Sequence, residues 1–466
     1  MMIRNLCLLS LSLVFSISFY AQSQLEEFHN EVQDNPYQAV DKSVMQRGPS
    51  YRVRSQQLIT SQVNVDSNGD DIIGDAANEP SIAVDPTNPN RIVIGWRQFD
   101  TVTSNFRQAG YGYSLDGGLT WTFPGVINPG LFRSDPVLDF DAQGNFYYNS
   151  LQNTFECDVF QITDGGVAWS GPFPAKGGDK QWMRIDRSGG VGDQHNYSYW
   201  NASFSTCSPE SFTRSTDGSM TFEDCTLVDN NPFWGTLAVD KNGALYLVGA
   251  GQNGLALLKS TNAQNAAEAV SWDFLTQISM DGTLSAGHPL NPAGLLGQAW
   301  VDVDISSGPG ENNVYVLASI LRSNDPGDVL FARSTDGGQT FEAPIRINTD
   351  PLGNYNWFGT MSVAPNGRID VVWLDTSDDP NNALSRLYYS FSEDQGDTWS
   401  DGTPLSPLLD STIGGLTKAR WDYFDMVSDN EYAYLAWANT INGGQDGAFL
   451  NYLPGEILAL QDLSIK

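Results

Sequence analysis

A chain of 466 residues with 40% hydrophobic and 12% aromatic residues has material for a large core, while 45 glycines and 23 prolines point to many turns and against long helices. The formal charge of −31, from 55 acidic against 24 basic residues, makes a field that repels polyanions and excludes nucleic acid as a partner. Residues 1–21 carry one cation at Arg4, an apolar run from Leu6 to Phe19 and a small Ala21, the pattern of a secretory signal peptide. That run is shorter than the ~20 residues a spanning helix needs, and no later segment is apolar enough, so a secreted protein without a transmembrane segment is expected.

Residues 22–50 read as a polar, weakly ordered lead-in, and 51–466 as a single domain. Early in that domain, Asp66, Asn68 and Asp70 alternate oxygen ligands as in the first half of a calcium loop, although the glycine expected after the third ligand is missing. A structural calcium and a simple polar turn are the two readings, and no other cofactor is required. Loss of Cys7 with the signal leaves three cysteines in an oxidising compartment. Cys207 and Cys225 flank one predicted hairpin and are paired here; a pair using Cys157 is the alternative, since sequence alone does not fix connectivity.

Two short patterns alternate along the rest of the chain. The first is strand, tight turn, strand, as in 80–96, and it recurs at 136–149, 182–200, 235–249, 300–319, 359–374 and 422–438. The second is Ser-x-Asp-x-Gly-x-Thr-Trp/Phe, with its aspartate at Asp116, Asp217, Asp336 and Asp394 and in a degraded copy at Asp164. Serine and aspartate at this spacing cap the backbone N–H groups of a turn, glycine accepts positive φ, and the aromatic packs beneath. These aspartates are therefore structural.

The second pattern resembles the Asp-box, or bacterial neuraminidase, repeat of sialidases and other propellers, and 78–85 is similar to the opening repeat of secreted sialidase-like proteins. The resemblance covers roughly residues 76–455. It implies an all-β propeller of four-stranded blades around a central channel. Seven units favour seven blades, with six as the alternative; the seventh lacks an Asp box, so either the early strand 51–65 or 457–465 completes it.

In such a meander the Asp-box turns share one face, and the starts of the inner strands gather on the other with the longest loops. His195 falls with the turns and is expected to be a surface residue. The loop-rich face collects Glu79, Asp135, Asp422 and Tyr423 as candidate catalytic groups. Arg97, Arg133, Lys180, Trp234, His288, Trp357 and Arg420 are candidate substrate contacts. Carboxylates, cations and indoles meeting in one concavity suit a sugar, while Trp182, Trp300 and Trp421 also fit inter-blade packing.

The sialidase set is incomplete here: the nearest early match to Arg-Ile-Pro is Arg91-Ile92-Val93, without the proline. Three readings stay open. The first is a sialidase-like glycoside hydrolase, with Glu79 and Asp135 as a carboxylate pair. The second is a non-catalytic glycan- or protein-binding propeller, and the third a polysaccharide lyase using His288 or a tyrosine as base. A monomer is expected, with carbohydrate or a glycoconjugate as its partner.

Overall fold

The computed structural model describes residues 33–163, 168–251, 254–413 and 421–454. Seven antiparallel sheets form the blades of a propeller, whose innermost strands begin at Ala76, Ser134, Trp182, Leu237, Trp300, Asn356 and Asp425. Each of the seven predicted hairpins supplies the two inner strands of one blade. Blades 1, 2, 4, 5 and 6 are four-stranded. Blade 3 has three strands, its outer edge held by a bridge between Phe212 and Thr226 and by the Cys207–Cys225 disulfide, the pairing expected from the sequence. Cys157 is buried and free.

Blade 7 closes the ring with the beginning of the chain. Leu58–Gln62 pairs antiparallel with Asp446–Tyr452, and Arg52–Arg54 adds a fifth strand. Residues 457–465, the other closure considered, lie outside the described residues, as do the signal segment, Asp164 and Arg420. No helix among the described residues is long and apolar enough to cross a membrane.

The repeated turns explain why blades stack. In blade 1, Ser114 Oγ donates to Asp116 Oδ1 at 2.8 Å and accepts from the Gly118 amide at 2.8 Å. The Thr120 amide and hydroxyl donate to the two carboxylate oxygens of Asp116 at 2.9 and 2.6 Å. The same network surrounds Asp217, Asp336 and Asp394. These carboxylates are consumed by their own turns. A Cβ at Gly118, where φ is +85°, would run into the Phe449 ring of blade 7, so glycine lets the turn of one blade lie on its neighbour. Trp121 then packs on Phe449 at 5.3 Å, and Trp399 of blade 6 on Phe331 of blade 5 at 5.1 Å.

Inner strands are stitched side to side as well. Ser81 Oγ accepts the Leu138 amide, Asp139 that of Ile185, Thr236 that of Val301 and Asp302 that of Val363, at 2.7–3.0 Å. The channel itself is filled. Trp182 stands edge-on to Trp300 and Tyr423 at 5.1 and 5.3 Å, in one apolar cluster with Val137 and Met361.

The lead-in, expected to be weakly ordered, is from Gln33 onward laid over the loop-rich face. Lys42 bridges Asp75 and Asp100 at 3.1 Å each, and Arg47–Gly48 pairs with Asp71–Ile72.

Candidate functional site

One position recurs at the start of the inner strands. Glu79, Asp135, Lys180, Trp234 and Phe358 all have left-handed backbone, with φ between 45° and 55°. In blades 1, 2 and 6 a register irregularity accompanies this residue, the mark of a bulge that turns a side chain out of the alternating pattern. Non-glycine residues held at positive φ cost roughly 1 kcal/mol or more each, so the surrounding fold must impose them. For Glu79, Asp135 and Lys180 the result is convergence on the channel; Trp234 and Phe358 turn into the blade cores.

Lys180 lies at the centre of that convergence. Its Nζ is 2.6 Å from Asp422 Oδ2, 3.6 Å from Asp135 and 3.7 Å from Asp179. Arg97 donates from Nε to Asn78 Oδ1 at 2.8 Å and brings Nη1 to 3.1 Å from Glu79. Four carboxylates, Glu79, Asp135, Asp179 and Asp422, thus face two cations. Burial pushes Glu79 well above the usual carboxylate range, helped by Asp422 and Asp135 and opposed by Arg97 and Lys180. For Lys180 burial works against the charge, yet the surrounding carboxylates prevail and hold its pKa well above normal. Two cations set among four carboxylates, with burial favouring the acid form of Glu79, offset much of the buried charge, which is how such a set survives.

Access is the decisive property of this cluster. Glu79 is 0%, Asp135 1%, Lys180 2% and Asp422 3% exposed. Asp422 Oδ1 accepts the Leu295 amide at 2.9 Å, and Asp135 Oδ1 takes the Ser134 hydroxyl at 2.5 Å. Tyr423 donates its hydroxyl to the Pro136 carbonyl at 2.8 Å, and burial lifts its pKa well above that of free tyrosine. A phenol so placed is a poor nucleophile.

The remaining candidates are dispersed. Arg133 pairs with Asp158 at 2.6 Å over the Phe160 ring, inside blade 2. Trp234 is buried against Phe233 in the core of blades 4 and 5. Trp357 donates to Ser385 Oγ at 3.0 Å and stacks on Trp421 at 5.9 Å. His288 lies edge-on to Trp357 and flat against Tyr355, where burial lowers its pKa to about 4, so it would be a weak base. His195, expected at the surface, is 5% exposed. Asp66 accepts the amides of Asn68 and Asp70 and pairs with Arg47 at 2.8–3.1 Å, the bonding of a polar turn. No set of three acidic, histidine or cysteine side chains suited to a metal occurs among the described residues.

Open space lies elsewhere on the same face. A cleft of about 380 Å³ runs between the loops of blades 1 and 2, lined by Phe106, Arg107, Phe132, Leu151, Gln152, Asn153 and Phe155, with Gln33, Asp34 and Asn35 of the lead-in along one wall. Arg107 lies over the Phe132 ring at 4.8 Å and donates to Ser134 Oγ at 3.3 Å. Phe106 meets Phe132 edge-on at 6.4 Å. The phenylalanines and carboxamides of this set were not among the candidates drawn from the sequence, though a signal was present: Phe106-Arg107 and Phe132-Arg133 are the same dipeptide on adjacent connections of one face.

No protein-family model matches the chain, and no curated protein matches it. Among solved structures it is similar to a protein of unknown function from Dyadobacter fermentans, with 16% identity and a TM-score of 0.49 over 86% of this chain and 99% of that one. An α-L-arabinofuranosidase from Fusarium graminearum gives 11% identity and 0.42 over 88% and 100%. A Hadza microbial sialidase gives 10% and 0.42 over 81% and 66%.

Proposed function

We propose that the protein is a secreted carbohydrate-recognising propeller that holds its ligand in the cleft between blades 1 and 2, and that the charge cluster in the channel serves the scaffold. The observation that carries this reading is the composition of the cleft: three phenylalanine rings, one guanidinium and the carboxamides of Gln152 and Asn153 face a single volume of about 380 Å³. Rings cover the apolar face of a pyranose, carboxamides exchange hydrogen bonds with its hydroxyls, and the guanidinium fixes orientation.

The test is a binding panel of neutral glycans, uronates and sialosides, read with the mature chain and with Arg107→Ala and Phe132→Ala. Saturable binding by the wild type is expected, weakened about tenfold in each variant, the equivalent of ~1.4 kcal/mol. No saturable binding to any glycan would overturn it.

Glycoside hydrolysis is the second reading, favoured by one feature: Glu79 is fully buried, its carboxyl is pushed well above the usual range by that burial, and its ion-pair partner is Arg97 at 3.1 Å. A raised carboxyl is what a general acid requires. Contact with substrate would need the cover over Glu79 to open, and turnover on the same panel, abolished by Glu79→Gln, would decide for it.

A further inference from the structure

The guanidinium in the cleft is already matched by a carboxylate. Asp34 Oδ2 lies 2.8 Å from Arg107 Nη2. Arg107 also donates to Ser134 Oγ at 3.3 Å and lies over the Phe132 ring at 4.8 Å, so protein groups hold it on several sides. Asp34 is placed by its neighbours in turn. The Asn35 amide donates to Asn105 Oδ1 at 2.6 Å, Asn105 Nδ2 donates to the Gln33 carbonyl at 3.4 Å, and the Tyr37 ring lies 5.4 Å from Phe106. The ion pair is therefore part of the cleft wall.

Two further cations of these blades are matched in the same way. Arg133 pairs with Asp158 at 2.6 Å, and Lys42 with Asp75 and Asp100 at 3.1 Å each. Apart from Asp34 and Arg107, the groups that line the cleft are uncharged: three phenylalanine rings, one leucine and four carboxamides. The chain as a whole bears a formal charge of −31. A carboxylate on the ligand would thus lose water without gaining a cation of its own, would meet Asp34 as a like charge, and would enter a repulsive field. Hydroxyls suffer none of these costs, because they donate to a carboxylate or carboxamide and accept from a guanidinium without disturbing the charge balance.

We infer that the cleft selects an uncharged oligosaccharide and turns away uronates and sialosides, and that Asp34, by neutralising Arg107, sets this preference. The inference rests on the carbohydrate reading of the cleft and adds to it the charge of the ligand. It makes Asp34 a specificity-determining residue: with its carboxylate removed, the same guanidinium becomes a receptor for an acidic sugar.

The test is isothermal titration of the full mature chain with oligosaccharides matched in pairs: cellotetraose and its uronate form oxidised at the primary alcohols, mannotetraose and tetramannuronate, and lactose and sialyllactose. In every pair that binds, the neutral member is expected to bind about tenfold tighter or more in the wild type, with an affinity that added salt leaves unchanged. The isosteric Asp34→Asn should narrow that ratio by about threefold or more, through tighter binding of the acidic member. An acidic member that binds the wild type as tightly as its neutral counterpart overturns the inference and leaves the carbohydrate reading standing. A ratio unchanged in Asp34→Asn, both members weakened alike, reduces Asp34 to a structural role and overturns its part in specificity. No binding by any member of the panel overturns the carbohydrate reading and the inference with it.

Discussion

Lys180 of blade 3 and Asp422 of blade 7 meet across the central channel at 2.6 Å. These blades are not neighbours in the ring, so the contact acts as a strut through its middle. Asp135 of blade 2 and the Asp179 carboxylate share the same ammonium.

Removing the ammonium should therefore damage the fold. Lys180→Met leaves three buried carboxylates without their common cation, and the expected loss is about 3–5 kcal/mol of stability. Asp422→Asn should cost less, since it removes one of an excess of carboxylates. Denaturant titration of both variants checks the order; an undiminished Lys180→Met protein would mean that the cluster is solvated.

Stability should depend on pH in a particular direction. Burial raises Asp75 to about 6 and Asp425 to about 7, the latter although it accepts hydrogen bonds from Ser81 Oγ and the Ile82 amide. A carboxyl with a raised folded pKa contributes stability that is complete below the unfolded value near 4 and is lost as pH climbs through 6 and 7, on the order of 3 kcal/mol for each group. The Asp-box carboxylates act oppositely: hydrogen bonds from Thr340 hold Asp336 at about 2, so its contribution disappears only on strong acidification. The melting temperature should peak near pH 4–5 and decline toward pH 8. A melting temperature that rises from pH 5 to pH 8 would contradict these assignments.

The four intact turn aspartates predict a uniform and modest effect. Asp394→Ala removes bonds to Ser392 and to the Thr398 amide and hydroxyl. A loss of about 1 kcal/mol is expected in urea titration, with ligand binding unchanged. An effect on binding affinity would place the ligand on the wrong face.

Blade 3 depends on its disulfide. Cys207 and Cys225, 18 residues apart, tie down the edge that a fourth strand covers in other blades. The double Cys→Ala variant should lose about 2–4 kcal/mol, and exchange should rise first along 207–226. Exchange rising first elsewhere would show the edge to be held by other contacts.

Much of this fold is legible in the sequence because its signals are local. Seven inner hairpins follow from alternating strands around Asn/Asp/Gly turns, and the serine, aspartate, glycine and threonine of each Asp box bond within eight residues of one another. Convergence of Glu79, Asp135, Lys180 and Asp422 was also legible, since topology alone brings the starts of the inner strands together. Their burial was not: it depends on bulges with positive φ and on Trp182, Trp300 and Tyr423 filling the channel, all of which involve residues far apart in the chain. The same blindness placed Trp234, His288 and Trp357 at an open mouth, whereas Trp234 packs in the core of blades 4 and 5 and His288 packs on Trp357. Nor does a polar composition reveal ion pairs such as Lys42–Asp75, which are invisible until both partners have positions.

Where a bound ligand protects the backbone decides between cleft and channel. In hydrogen-exchange mass spectrometry with the tightest glycan of the panel, protection is predicted over 105–108, 130–133 and 151–155. Protection confined to 78–81, 134–136, 179–182 and 421–425 would contradict the account and return the channel cluster to the position of active site.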